Sequence, residues 1–161
     1  MDSHELTRLF EAVRRGEISS ADATKRVKTA PLEETGGFAT VDLHRAIRCG
    51  SPEVIFGQGK TVEQIIAILR SLIRHGHGGL VTRVAAEAGP ELVKEFPEGE
   101  YNPRGRTFRV KGEDPGPKLG KVVVVTAGTS DLPVAEEAKV AAEAWNCEVS
   151  LVADEIGRAH V

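Results

Sequence analysis

No apolar run in this sequence approaches the roughly 20 residues that a bilayer-spanning helix needs. The opening residues, Met1-Asp2-Ser3-His4-Glu5, lack both the basic flank and the apolar stretch of a secretory signal. Both absences argue against a membrane or exported protein and for a cytoplasmic one. Basic blocks are missing too. The chain has 21 Lys and Arg against 24 Asp and Glu, a net charge of −3, which disfavours nucleic acid as a partner. Cysteine is nearly absent: Cys49 and Cys147 stand far apart without metal-ligand spacing and read as free thiols in a reducing compartment. What remains is an ordinary globular composition, 40% apolar and 28% charged over 161 residues, enough for one domain or two small ones.

Apolar periodicity then orders the chain. Leu6, Leu9, Phe10 and Val13 form a helical stripe that stops at Gly16, and Ser19 with Asp22 opens a second short helix. A compact section follows Thr35-Gly36-Gly37. It has a strand over residues 38–41, a short helix from Asp42 through Arg48 ending at Gly50, and a strand over residues 53–56. The clearest helix starts at the capping box Thr61-Val62-Glu63-Gln64, buries Val62, Ile65, Ile66, Leu69, Leu72 and Ile73, and ends at Gly76. A strand over residues 80–85 and a helix from Pro90 to Pro97 complete an alternating α/β pattern.

The texture changes at residues 112–120, with three glycines and two prolines in nine residues, the composition of a linker. Residues 121–126 carry four consecutive valines and read as a strand buried on both faces. A helix over residues 132–144, with Val134, Ala138, Ala141 and Trp145 on its packed side, leads to a second strand over residues 147–153. One β-α-β unit leaves such a strand half covered, because two parallel strands and one helix make too small a sheet. The sequence therefore reads as a domain whose remainder is absent, with residues 156–161 a non-native tail that continues no pattern.

Between that strand and helix lies Thr126-Ala127-Gly128-Thr129-Ser130-Asp131. Unpaired amides and a positive helix dipole meet there, so small and hydroxylated residues suit a nucleotide phosphate. An equally simple reading makes Ser130 or Asp131 a plain helix cap. Asp131 repels phosphate and would face a ribose hydroxyl or a substrate ring.

The run of residues 122–138, from the valines through Gly128-Thr129-Ser130-Asp131-Leu132-Pro133, resembles the LarB family. So do Asp42 to Arg45, Arg48, Gly50 to Ile55, Gly59-Lys60-Thr61 and Thr82-Arg83-Val84. Members are pyridinium-3,5-biscarboxylic acid mononucleotide synthases whose C-terminal domain is similar to aminoimidazole ribonucleotide carboxylase, the PurE type. The resemblance implies an N-terminal α/β region (residues 1–111), the linker, and the first β-α-β of a PurE-like, flavodoxin-like parallel-sheet domain over residues 121–155.

It also implies chemistry. Nicotinic acid adenine dinucleotide would be carboxylated at C5 of its pyridinium ring by CO2 or bicarbonate, and its phosphoanhydride hydrolysed to release AMP. The product serves the nickel-pincer cofactor of lactate racemase. Thiolate addition makes the electron-poor ring enamine-like. Gly128, Thr129, Ser130 and Asp131 then become substrate-binding residues, although Gly128 replaces a phosphate-binding serine of the PurE enzymes. The nucleophilic cysteine matches neither Cys49 nor Cys147, so the catalytic residues are unassigned and this chain is expected to be inactive alone. No tightly bound cofactor is implied; Mg²⁺ assistance and a homo-oligomer, an octamer in full-length relatives, are. Two alternatives stand beside it: a purine-route aminoimidazole ribonucleotide carboxylase or mutase, and a non-catalytic nucleotide-binding fragment.

Weaker candidates carry bland readings as well. Arg45, Arg48 and Lys60 would either gather on a phosphate or be solvated. Residues 101–106 are either a ligand-contacting loop or a solvated turn. His75 and His77 lack further ligands and do not specify a metal site. Glu136 and Glu137 are accounted for by the helix dipole.

Overall fold

The structure, a computed structural model, describes residues 3–29, 32–43, 45, 53–112 and 117–153. Helices α1 (Ser3–Arg14) and α2 (Ser20–Thr29) pack against each other as a pair. Ser19 caps α2: its hydroxyl oxygen accepts from the Asp22 amide at 3.0 Å and its O–H donates to the Asp22 carboxylate at 2.7 Å. Strands β1 (Leu32–Thr35) and β2 (Ala39–Asp42) pair antiparallel. Gly36 and Gly37 turn between them at φ of 62° and 70°, a left-handed conformation that only glycine adopts without a Cβ penalty.

Strands β3 (Val54–Phe56), β4 (Gly79–Thr82), β5 (Glu100–Asn102) and β6 (Thr107–Val110) form a mixed sheet in the order β3-β4-β6-β5. Only β3 and β4 run parallel, joined by α3 (Val62–Arg74), whose capping box forms as its sequence specifies. Helix α4 (Ala88–Glu95) follows β4. Alternation along β4 and β6 sorts the two faces. Val81, Phe108 and Val110 join Ile65, Leu69, Leu72 and Leu92 in the core beneath α3 and α4. Leu80 and Thr107 point the other way and are equally buried.

That second face is covered by the crossover helix α5 (Leu132–Ala144), whose far side packs on the parallel pair β7 (Lys121–Thr126) and β8 (Glu148–Ala153). The polypeptide is therefore layered as α3 and α4, the mixed sheet, α5, and the parallel pair. The α/β class expected from the sequence is the class observed.

Several expectations are corrected. The valine strand is covered on one face: Val122 and Val124 turn toward α5, whereas Val123 and Val125 are 61% and 52% exposed. Val134, Ala138 and Trp145, expected on the packed side of α5, are exposed, and Ala135 is the residue buried. A helix between two sheets has two packed flanks and no single stripe, which defeats the one-face pattern. The β5–β6 hairpin and β1 were not foreseen, because short strands with charged residues carry weak alternation. Of the helix expected from Asp42 through Arg48, Asp42 instead ends β2; residues 44 and 46–48, Cys49, residues 113–116 of the linker and residues 154–161 lie outside the described residues.

Candidate functional site

At the carboxyl end of β7 the chain turns through Gly128 (φ −144°, ψ 169°) into a single 3₁₀ turn, Thr129–Asp131, that runs straight into α5. The turn closes through the Asp131 amide donating to the Gly128 carbonyl at 3.1 Å. No side chain caps the 3₁₀ turn or α5, and no acidic residue occupies the first turn of α5. The dipole of a 13-residue helix thus opens at this end with the Asp131 carboxylate beside it and no side-chain cap. The plain-cap reading of Ser130 and Asp131 is therefore not the one observed.

Asp131 instead is held from behind. The hydroxyl of Thr126, itself 6% exposed, donates to Asp131 Oδ2 at 3.2 Å. Strand alternation turns Thr126 inward and the short turn brings residue 131 back over it. Thr129, Ser130 and Asp131 are exposed, and Gly128 is half-buried. The four expected binding residues thus form one mouth of amides, free hydroxyls and an oriented carboxylate.

The mouth is anchored by groups that sequence reasoning missed. Asn102 Nδ2 donates to Glu136 Oε2 at 2.9 Å, and Asn102 Oδ1 accepts from the Gly105 amide at 2.9 Å. Arg83 Nε lies 3.0 Å from Glu137 Oε2. Gly105 sits so close to α5 that a Cβ there would lie 3.0 Å from the Glu137 nitrogen. Glu136 and Glu137 therefore fasten α5 to the mixed sheet, a role beyond dipole compensation. Residues 102–106 seat Gly105 against α5 and leave Pro103, Arg104 and Arg106 exposed, with Arg106 at φ 52° and its Nε donating to the Val84 carbonyl at 3.1 Å.

The weaker candidates lie elsewhere. Lys60 is in the turn before α3 and lines a cleft with Phe38, Glu53 and Phe56. Arg45 is exposed, 3.7 Å from Glu53; Arg48 is outside the described residues. Cys147 is half-buried, with its Sγ directed at the Trp145 carbonyl at 3.8 Å. His75 Nδ1 faces the Ser71 carbonyl at 2.9 Å, and among the described residues no three His, Cys, Asp or Glu side chains converge on a metal position. Nor is any described helix long and apolar enough to cross a membrane.

Residues 32–113 match the family described as the LarB/PurE-like N-terminal domain. The uncharacterized protein MJ0165 of Methanocaldococcus jannaschii is 32% identical over 159 residues, 95% of this chain and 62% of that protein. The chain thus spans less than two thirds of the curated relative that it matches.

Proposed function

This chain belongs to the LarB/PurE-like family, and on that footing we propose that it serves the carboxylation of a pyridine nucleotide, with nicotinic acid adenine dinucleotide as substrate. CO2, supplied as such or by dehydration of bicarbonate, forms the new bond at C5 of the pyridinium ring, and the C5 proton is released as aromaticity returns. Water cleaves the phosphoanhydride and AMP leaves, a hydrolysis that Mg²⁺ carried on the phosphates would assist. The product enters nickel-pincer cofactor synthesis in the cytoplasm. The observation that carries the reading is the uncapped amino end of α5 beside a carboxylate already oriented by Thr126.

The chemistry assigned to each residue follows from its surroundings. The open amides at residues 128–130 and the hydroxyls of Thr129 and Ser130 receive a phosphate. Asp131, with one oxygen engaged by Thr126, offers the other to a ribose hydroxyl. Gly128 leaves the backbone accessible; even a Cβ built there would meet only Ser130 Oγ, at 4.0 Å. Making the electron-poor ring nucleophilic at C5 requires transient addition of a thiolate. Neither cysteine of the chain is assigned to it, since Cys147 packs at the start of β8.

Isothermal titration of the chain with nicotinic acid adenine dinucleotide tests the reading. Binding that weakens about tenfold or more when Ser130 and Asp131 are both replaced by alanine supports it. Undiminished affinity overturns it. Incubation with labelled bicarbonate separates the chemistry from binding. An intact homologue should show the mass gain of CO2 together with AMP, a pair that an aminoimidazole carboxylase does not give.

A further inference from the structure

A second recess lies away from the mouth, along the outer edge of β3. It is a cleft of about 510 Å³, within the range of small-molecule sites. Two phenylalanine rings line it while remaining open to solvent, Phe38 at 45% and Phe56 at 55% exposed. Large rings left uncovered inside a concavity offer stacking faces to a planar ligand.

The polar groups are few and differ in kind. Glu53 Oε2 is shielded from solvent yet accepts no hydrogen bond among the described residues; its cation neighbour, Arg45 Nε, stays 3.7 Å away. Burial raises the Glu53 pKa, Arg45 opposes the shift and Asp42 adds to it. An orphaned carboxylate oxygen asks for an N–H donor. Gln64 Oε1 accepts from the Thr61 amide at 3.0 Å, and Gln64 lines the cleft with its N–H₂ uncommitted among the described residues. Lys60 is exposed, lines the same cleft and pairs with no carboxylate among the described residues, so its ammonium is available to an anion.

We infer that this cleft binds an amino-bearing nucleobase with its phosphate: an adenine nucleotide whose ring stacks between Phe38 and Phe56, whose amino group donates to Glu53, and whose phosphate meets Lys60. Gly57, immediately after β3, donates its amide to the Thr82 carbonyl at 2.8 Å. The next residue, Arg83, grips α5 through Glu137. The cleft thus borders the carboxyl end of β3 and β4, the end where open α/β sheets receive ligands. The assignment of this adenylate to the leaving half of the dinucleotide rests on the function proposed above; the cleft's preference for an adenine nucleotide does not.

The 161-residue chain is titrated calorimetrically with AMP, inosine monophosphate and nicotinic acid mononucleotide. AMP is expected to bind about tenfold tighter than inosine monophosphate, whose ring carries a carbonyl in place of the amino group. Lys60→Ala and Phe56→Ala should each weaken AMP several-fold; both side chains are exposed, so the fold is retained. Glu53→Gln should erase the preference for AMP over inosine monophosphate, because an amide both donates and accepts. No AMP binding, no preference in the parent chain, or unchanged binding in both Lys60→Ala and Phe56→Ala overturns the inference. AMP binding that survives those changes but is lost in the Ser130→Ala, Asp131→Ala double variant places the ligand at the mouth and overturns it equally. Failure of nicotinic acid mononucleotide alone, with AMP behaving as expected, sinks the mouth and leaves the cleft standing.

Discussion

Arg83 Nε sits 3.0 Å from Glu137 Oε2, so the residue that leaves β4 grips the second turn of the crossover helix. A half-exposed ion pair contributes at most about 1 kcal/mol. The alignment of helix on sheet owes more to the close approach at Gly105, where backbone meets backbone.

Gly105→Val should therefore push α5 off the sheet. The expected cost is about 1–3 kcal/mol, typical of overpacking. Hydrogen-exchange mass spectrometry should show faster exchange in α5 and unchanged exchange in α3. Equal protection in both helices would show that the contact is not close.

Thr126→Val keeps shape and removes the hydroxyl that orients Asp131. Affinity for nicotinic acid adenine dinucleotide should fall about five- to tenfold, the worth of one hydrogen bond of about 1 kcal/mol. The melting temperature should move by no more than about 2 °C. Calorimetric titration beside a thermal melt reads both.

Glu53 has a pKa raised above its ordinary 4.5, chiefly by burial. The folded chain then binds this proton more tightly than the unfolded chain does. The stability it contributes is fully present below pH 4.5 and is lost as pH rises through the folded value. Glu53→Gln should accordingly melt about 1–2 °C higher at pH 7, and the difference should vanish in acid. Glu63 has the opposite sign. Its pKa is lowered by its own backbone amide and then by the Thr61 hydroxyl, so its contribution is present above the ordinary value and lost as pH falls. Melts from pH 4 to 8 separate the two.

Leu69, with 0% of its surface exposed in the core under α3, should cost about 2–5 kcal/mol as Leu69→Ala. Val123→Thr, at an exposed position, should stay within about 0.5 kcal/mol. Urea denaturation compares them directly. A large loss at Val123 would mean that this face is covered in solution.

Legibility followed the strength of local pattern. The capping box of α3 formed as its four residues specify, because two side chains and two amides close a loop within one turn. The strand–turn–helix through residues 126–131 was readable for the same reason: its residues are contiguous and its contacts local. Tertiary partnerships were not readable. Nothing near Asn102 in the chain announces Glu136, which lies 34 residues on. Nor does a run of four valines distinguish one covered face from two, since each face needs a neighbour that the run does not encode. The cleft escaped notice because Phe38, Glu53 and Lys60 come from three separate segments.

Helix α5 is flanked by strands on both sides, with Glu136 and Glu137 tied to one and Ala135 buried between. A rod clamped along its length cannot roll or slide alone. Whatever displaces the turn at residues 102–106 must carry the amino end of the rod with it, and residues 128–131 move as that end moves.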